Sequence, residues 1–115
     1  MVERTGERRR SERIDADHVF AAFKVQGLSG SDQGFGIVRN VSETGVQLET
    51  PQPPSVPATV LLRISVGEDV FELTMQVRRV AAKGDGVHEV GMDFLKLDDQ
   101  RTRFLARFLE HGRAP

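Results

Sequence analysis

Residues 58–80 read ATVLLRISVGEDVFELTMQVRRV, and this stretch decides the fold. Apolar side chains occupy every second position on either side of the GED triplet at 67–69, as they do in two half-buried strands joined by a turn. The inward positions form two series: Val60, Leu62, Ile64 and Val66, then Phe71, Leu73, Met75 and Val77. The stretch therefore predicts a long β-hairpin whose register follows from the alternation.

The same alternation recurs on both sides of this hairpin. Residues 26–36 are rich in glycine and serine and predict a hairpin connection, and the proline-rich residues 51–57 predict a loop. An open sheet would leave strands unpaired, so we expect an all-β fold with a six-stranded antiparallel β-barrel. The inward positions of the further strands are Val19, Ala21, Phe23 and Val25, then Val46 and Leu48, then Val90, Met92 and Phe94.

After the last strand the apolar period changes to that of a helix. Asp98 or Asp99 can cap its start, and Gly112 can end it. We expect the apolar stripe of this C-terminal α-helix to cover one opening of the barrel. The residues at helical spacing are Phe104, Leu105, Phe108 and Leu109.

The length of 115 residues fits one domain. Residues 1–15 are polar and offer nothing to a core, so they predict a flexible N-terminal arm. Residues 16–96 form the predicted barrel, and residues 97–112 form the helix of the same domain.

Composition excludes several classes of function. The chain has no cysteine, which rules out disulfides, thiolate metal sites and a cysteine nucleophile. No apolar run approaches the ~18 residues that span a bilayer, and the polar N-terminus lacks the apolar segment of a secretory signal. We therefore expect a cytoplasmic protein without membrane insertion, a monomer or weak dimer. The net charge of −1 argues against a nucleic-acid polymer as partner.

Arginine is concentrated in ERRRSER, residues 7–13. Arg9 and Arg13 are four positions apart, so they share a side on a helical turn and on an extended segment alike. Guanidinium groups suit phosphate oxygens, pair with guanine O6 and N7, and stack on flat bases. Residues 1–13 hold five arginines and three glutamates, a net charge of +2 that fits a small anion. The alternative interpretation is a solvated basic arm.

A second polar stretch, NVSETG, occupies residues 40–45. Asn40 and Ser42 point to the same side of an extended backbone, and both donate and accept hydrogen bonds. Gly45 allows a positive φ or a close approach to the backbone. The alternative interpretation is a plain turn, because asparagine, serine and glycine are all turn formers.

Together, RRSER (9–13) and NVSETG resemble the two-part signature of the PilZ domain family, R-x-x-x-R followed by D/N-x-S-x-x-G. Both parts are complete and in order, with Asn40 27 positions after Arg13. The end of the chain, HEVGMDFLKLDDQRTRFLARFL, is also similar to the last strand and helix of that family. The resemblance runs from about Glu7 to Glu110.

The resemblance implies a six-stranded barrel that senses the bacterial second messenger cyclic di-GMP. By position, Arg9 and Arg13 grip guanine and phosphate from a switch segment, while Asn40, Ser42 and Gly45 form the surface motif that reads a guanine. Asparagine in place of aspartate makes a weaker contact, since it lacks the charge.

The other arginines of the segment bear on stoichiometry. The resemblance makes Arg8 compatible with a stacked ligand pair and favours two cyclic di-GMP molecules per protomer. Arg10 contacts either phosphate or only solvent. No other cofactor and no metal is expected. We predict that binding orders the arm and creates a surface for a downstream partner protein, which the sequence does not name, nor does it give the process controlled.

Three other classes of function are less well supported by the sequence. A PilZ-like adaptor would bind protein and no nucleotide, although such domains usually lack the complete motifs. A nucleic-acid-binding barrel would interleave aromatics with its basic residues, and the arm has none. An enzyme is not predicted, because His18, His88 and His111 lack metal-ligand spacing and Ser42 has no neighbouring base. Arg78 and Arg79 are adjacent in a strand, so we expect them to face opposite ways. One of them could support the rim of the ligand site, although a solvated face is the simpler interpretation.

Overall fold

The computed structural model describes residues 14–26 and 33–113 and, within these, the side chains of 19–26 and 33–110. Six strands and one helix make up this part of the chain, as the alternation and the later change of period predict. No helix in these ranges is long and apolar enough to cross a membrane. The elements are β1 (Ile14–Val25), β2 (Gln33–Val41), β3 (Gly45–Thr50), β4 (Ala58–Val66), β5 (Asp69–Gly84), β6 (Val87–Phe94) and α1 (Asp99–Arg113).

The six strands close into an antiparallel barrel in the order β1–β2–β3–β6–β5–β4, and β4 returns to β1. The β4–β5 hairpin keeps the register that the alternation predicts, with Leu62 opposite Leu73. The barrel closes where Ala21 of β1 pairs with Ile64 of β4. Two pairings join strands that are distant in sequence, β3 with β6 and β4 with β1.

The barrel interior holds nearly all the inward positions that the sequence predicts. Val60, Leu62, Ile64 and Val66 are fully buried, and Phe71, Leu73, Met75 and Val77 are at most 5% exposed. Phe94 is only partly buried, because it lies where the helix meets the barrel. Burying each large apolar side chain contributes about 1.5–3 kcal/mol, so this interior supplies most of the driving force for folding.

Helix α1 packs on the barrel through aromatic contacts. Phe104 and Phe108 are at most 1% exposed, and the Phe104 ring meets the Phe71 ring edge-to-face, with 5.6 Å between centroids. Asp98 caps the helix, because its Oδ1 accepts from the Arg101 amide at 3.2 Å. The helix continues through Gly112 to Arg113, so the prediction that Gly112 ends it is wrong by a residue. Glycine lowers helix stability but does not by itself stop a helix.

Three strands depart from regular alternation, and in β2 and β5 the departure changes which described residues face outward. The β1–β2 register shifts between Asp15 and Val19. The β2–β3 register shifts between Val38 and Asn40, so Arg39 is an extra residue. A bulge of this kind sends two consecutive side chains to the same face of the sheet. Val38 and Val41 are therefore both buried, while Arg39 and Asn40 both lie outside.

A matching bulge in β5 overturns the prediction for the arginine pair. The β5–β6 register shifts between Val77 and Arg79, so Arg78 is an extra residue. Arg78 and Arg79 consequently face the same side, not opposite sides, and both are exposed. Strand β2 also begins earlier than the predicted connection at 26–36 allows. Residues 33–36 belong to the strand because they pair with residues 21–24 of β1.

Candidate ligand-binding groove

The turn between β2 and β3 is held by its own polar groups. The Ser42 amide donates to the Gly45 carbonyl at 2.9 Å, which leaves a two-residue loop of Glu43 and Thr44. The Ser42 hydroxyl lies 3.1 Å from the Thr44 hydroxyl and accepts from the Thr44 amide at 3.3 Å. The turn-forming interpretation of NVSETG therefore holds locally. Val41 is buried between Asn40 and Ser42, so these two polar residues face outward together.

Gly45 is required by the approach of two strands. A Cβ atom on Gly45 would lie 1.9 Å from the carbonyl oxygen of Met92 on β6, far inside any real contact. Positive φ angles among the described glycines occur at Gly67, Gly84 and Gly86, so close approach, not a left-handed conformation, explains this position. Gly45 thus fixes the distance between the turn and β6.

The outward residues of this turn form one wall of a groove of about 120 Å3 on the barrel surface. Pockets that hold a whole drug-sized ligand are about 300–1,000 Å3, so this groove fits only part of a dinucleotide. Two other strands supply the remaining walls. The groove is lined by Asn40, Ser42, Thr44, Gly45, Val46 and Gln47 from β2 and β3, by Arg78 and Arg79 from β5, and by Gly91, Met92 and Asp93 from β6.

Four of these residues form a single row across four strands. Asn40 pairs with Gln47, Gln47 with Gly91, and Gly91 with Arg79. Neighbouring strands are about 4.8 Å apart, so the backbones of the first and last residue of the row lie about 14 Å apart. Gly91 carries no side chain, which leaves the middle of the row as a flat floor.

The polar groups of the groove are partly paired with one another. The Asn40 amide nitrogen donates to Gln47 Oε1 at 2.6 Å, which fixes the Asn40 side chain and leaves its carbonyl oxygen as an acceptor. Arg78 donates from Nε to Asp93 Oδ2 at 2.8 Å. Arg79 forms no ion pair within the described residues. The groove therefore offers an acceptor, a hydroxyl and a guanidinium to one guest.

The arginine motif predicted from the sequence lies outside the described residues, and so do its members Arg8, Arg9, Arg10 and Arg13. The place where that segment joins the barrel is described. Ile14, the first residue of β1, pairs with Val41, and Asp15 pairs with Asn40. The described chain therefore begins next to the strand that carries the groove-lining Asn40 and Ser42.

Sequence reasoning allowed one of the two β5 arginines at the rim of the site, but it missed that both lie there and that β6 contributes. Arg78, Arg79 and Asp93 line the same groove as the surface motif, although regular alternation assigned the two arginines to opposite faces. A signal was present, since the apolar positions step by two up to Val77 and then by three to Val80. The same odd step separates Val38 from Val41. An odd step between inward residues is what a bulge produces.

No cluster of three or more potential metal ligands occurs among the described residues. His88 lies on β6 with its Nδ1 buried and unpartnered there, and the groove-lining residues do not include it. The side chains of His18 and His111 are outside the described part. The groove carries hydrogen-bonding and charged groups suited to binding.

Comparisons with known proteins agree with this geometry. The model of the PilZ domain family matches residues 7–111. No curated protein matches the chain. The PilZ domain with c-di-GMP of YcgR from Escherichia coli aligns with a TM-score of 0.67 and 17% identity, covering 90% of each chain.

Two further solved structures share the fold. The PilZ domain of CeSA from a cellulose-synthesizing bacterium aligns with a TM-score of 0.56 and 22% identity, covering 87% of this chain and 99% of that one. The MrkH–c-di-GMP complex of K. pneumonia aligns with a TM-score of 0.62 and 20% identity, covering 93% of this chain. This chain spans about half of MrkH, 54% of its length.

Proposed function

The chain belongs to the PilZ domain family, and on that premise we propose that it is a receptor for cyclic di-GMP. One observation carries the proposal. The outward-facing Asn40 and Ser42, the two hydrogen-bonding members of the family's surface motif, line one groove with two arginines. The YcgR and MrkH structures that share the fold are complexes with c-di-GMP.

Within the proposal, the groove receives one guanine of the ligand. Asn40 presents a carbonyl oxygen, because its amide nitrogen is engaged by Gln47. A guanine offers N–H donors on its Watson–Crick side, which suit this acceptor. Ser42 adds a hydroxyl that already belongs to the turn and is therefore held in place. Gly45 makes no contact with the ligand in this proposal. Its missing side chain lets β6 lie close enough to form the opposite wall of the groove.

In this proposal the N-terminal arginines bind the phosphates and the outer faces of the bases. We assign Arg9 and Arg13 to guanine and phosphate, and Arg8 to a second, stacked ligand molecule, which makes two per protomer. The pairing of Ile14 with Val41 supports this assignment, because the described chain begins next to the groove. A doubly charged ligand neutralises the arginines and offers bases to stack on, so binding orders the segment.

The ordered segment is the signal that a partner protein reads. Loss of conformational freedom on ordering opposes binding, so several charge-assisted contacts must act together. We expect amide exchange in residues 1–13 to slow when cyclic di-GMP is added. If amide exchange were unchanged at saturating ligand, the protein would bind cyclic di-GMP without ordering the segment, and the proposed switch would be wrong.

Calorimetric titration with cyclic di-GMP tests the function. We expect saturable binding, loss of binding in Arg9→Ala and in Arg13→Ala, and a molar ratio of two. Arg103→Ala is the matched control, because Arg103 is exposed on α1 and does not line the groove. If the intact protein showed no binding of cyclic di-GMP, the receptor function would be wrong.

Absence of cyclic di-GMP binding would favour a second candidate function, that of an adaptor which binds protein and no nucleotide. One observation supports it. Phe20 of β1 and Phe35 of β2 are 61% and 65% exposed. They lie on adjacent strands, since Phe20 pairs with Ile37 and Phe35 with Ala22, and all four face away from the core. Exposed aromatic residues on neighbouring strands are a common feature of protein interfaces.

A further inference from the structure

Arg79 stands apart from the other charged residues of the groove. Its neighbour Arg78 is paired with Asp93 at 2.8 Å, whereas Arg79 has no carboxylate partner within the described residues. A Cβ atom on Gly91 would lie 3.4 Å from each of Cγ, Cζ and one terminal nitrogen of Arg79. Three atoms at one distance mean that the side chain lies lengthwise over Gly91, along the floor of the groove.

The bulge at Arg78 creates this placement. Without it, Arg78 would be opposite Gly91 and Arg79 would face the barrel interior. With it, Arg79 takes the position opposite Gly91, while Arg78 stays on the same face and pairs with Asp93. The groove then presents the Asn40 carbonyl oxygen as an acceptor and the Arg79 guanidinium, over Gly91, as a donor. These two groups suit a flat guest that donates hydrogen bonds to the first and accepts them from the second.

Guanine is such a group. Its N1 and N2 hydrogens lie on one side, and its O6 and N7 acceptors extend to the other, where arginine binds them bidentately. Phosphate fits the groove less well, because a phosphodiester has no hydrogen-bond donor for the Asn40 carbonyl oxygen. We infer that Arg79 is a specificity-determining residue that reads O6 and N7 of the guanine whose N–H groups bind Asn40; this inference rests on the proposed receptor function.

Three proteins test the inference by titration with cyclic di-GMP: Arg79→Ala, Arg79→Lys and the control Arg103→Ala. Loss of a bidentate base contact weakens binding by about tenfold or more. We expect that weakening in Arg79→Ala and a smaller one in Arg79→Lys, because an ammonium can contact O6 and N7 but lacks the planar fork of arginine. The control should match the intact protein. Arg79→Lys keeps the charge and the aliphatic stem, so it serves if the alanine variant does not fold.

The salt dependence of binding separates base reading from a phosphate contact. Removing a phosphate contact lowers the slope of log affinity against log salt concentration by about one, whereas removing a base contact leaves it unchanged. We expect the slope of Arg79→Ala to equal that of the intact protein. A lower slope, or no weakening in Arg79→Ala, would overturn the assignment. Absence of binding by the intact protein would instead refute the receptor itself.

Discussion

Arg101 of helix α1 donates from a terminal guanidinium nitrogen to the backbone carbonyl oxygen of Glu43, 2.9 Å away, in the turn that carries the surface motif. The same guanidinium lies 5.4 Å from the centre of the Phe94 ring. One side chain thus connects the first turn of the helix, the end of β6 and the loop between Ser42 and Gly45. The helix therefore contributes to the position of the groove as well as to the core.

Replacing Arg101 should loosen that turn without removing a ligand contact. A hydrogen bond from a charged donor contributes about 1.5–3 kcal/mol, and less where it is exposed. We expect Arg101→Met to accelerate amide exchange at Ser42 and Thr44 and to weaken cyclic di-GMP binding several-fold. Arg103→Met, two residues along the same helix, should change neither. Equal exchange in both variants would show that the contact does not hold the turn.

Gly45 and Gly91 lie close to the same groove, yet alanine should affect them differently. Alanine at Gly45 would clash with the Met92 carbonyl of the neighbouring strand, so the backbones must separate. We expect Gly45→Ala to lower the free energy of unfolding by about 2–3 kcal/mol, within the range for overpacking. Urea denaturation followed by circular dichroism measures this loss.

Gly91→Ala is the control for that measurement. A Cβ there would meet only the side chain of Arg79 at 3.4 Å, and that side chain can move. We expect a change in stability within about 0.5 kcal/mol, as for most surface substitutions. If both variants lost the same stability, the close approach of β3 to β6 at Gly45 would not be the reason for glycine.

Asn40→Asp should tighten binding. A carboxylate accepts hydrogen bonds roughly twice as strong as those of an amide oxygen, a gain of about 1 kcal/mol or roughly fivefold in affinity. Gln47 now accepts from Asn40 at 2.6 Å, and its amide must rotate to donate to an aspartate instead. Asn40→Leu, similar in size and without polar atoms, should weaken binding. Titration of both variants with cyclic di-GMP measures the order of their affinities. Tighter binding by the leucine variant would contradict the assignment of Asn40.

Phe104→Ala tests whether the helix is part of the core. The Phe104 ring is fully buried against Phe71, Phe94 and Phe108. Truncating a buried phenylalanine costs about 3–5 kcal/mol, a large share of the ~5–15 kcal/mol that stabilises a domain. We expect a correspondingly lower urea midpoint, with little change in the exposed Arg103→Ala. A loss below 1 kcal/mol would mean that α1 docks only loosely.

The barrel and helix α1, which packs on it, could be predicted from the sequence, because burial imposes a regular period on the apolar residues. Every second residue is buried from Val60 to Val66 of β4 and from Phe71 to Val77 of β5, and Leu62 lies opposite Leu73 as the pattern predicts. The order of the strands was less accessible. Nothing in the local pattern of β3 shows that it pairs with β6, because such pairing depends on contacts distant in the sequence.

The groove could be predicted only in part, and the bulges explain why. Asn40 and Ser42 were found because their motif is continuous in sequence. Arg79 was not, because its face depends on one extra residue in β5, and a regular alternation places it wrongly. The four arginines of the N-terminal motif lie outside the described residues, so their roles stay predictions.

The closed barrel also restricts how a partner can recognise this protein. All six described strands have hydrogen-bonded neighbours on both sides, although residues 14–20 of β1 and 78–84 of β5 pair on one side only. Many signalling complexes form by adding a peptide strand to a sheet, and in the described barrel that route is limited to such overhanging stretches. Elsewhere on the barrel a partner must recognise side chains on the outer surface, which makes recognition depend on the particular residues displayed there.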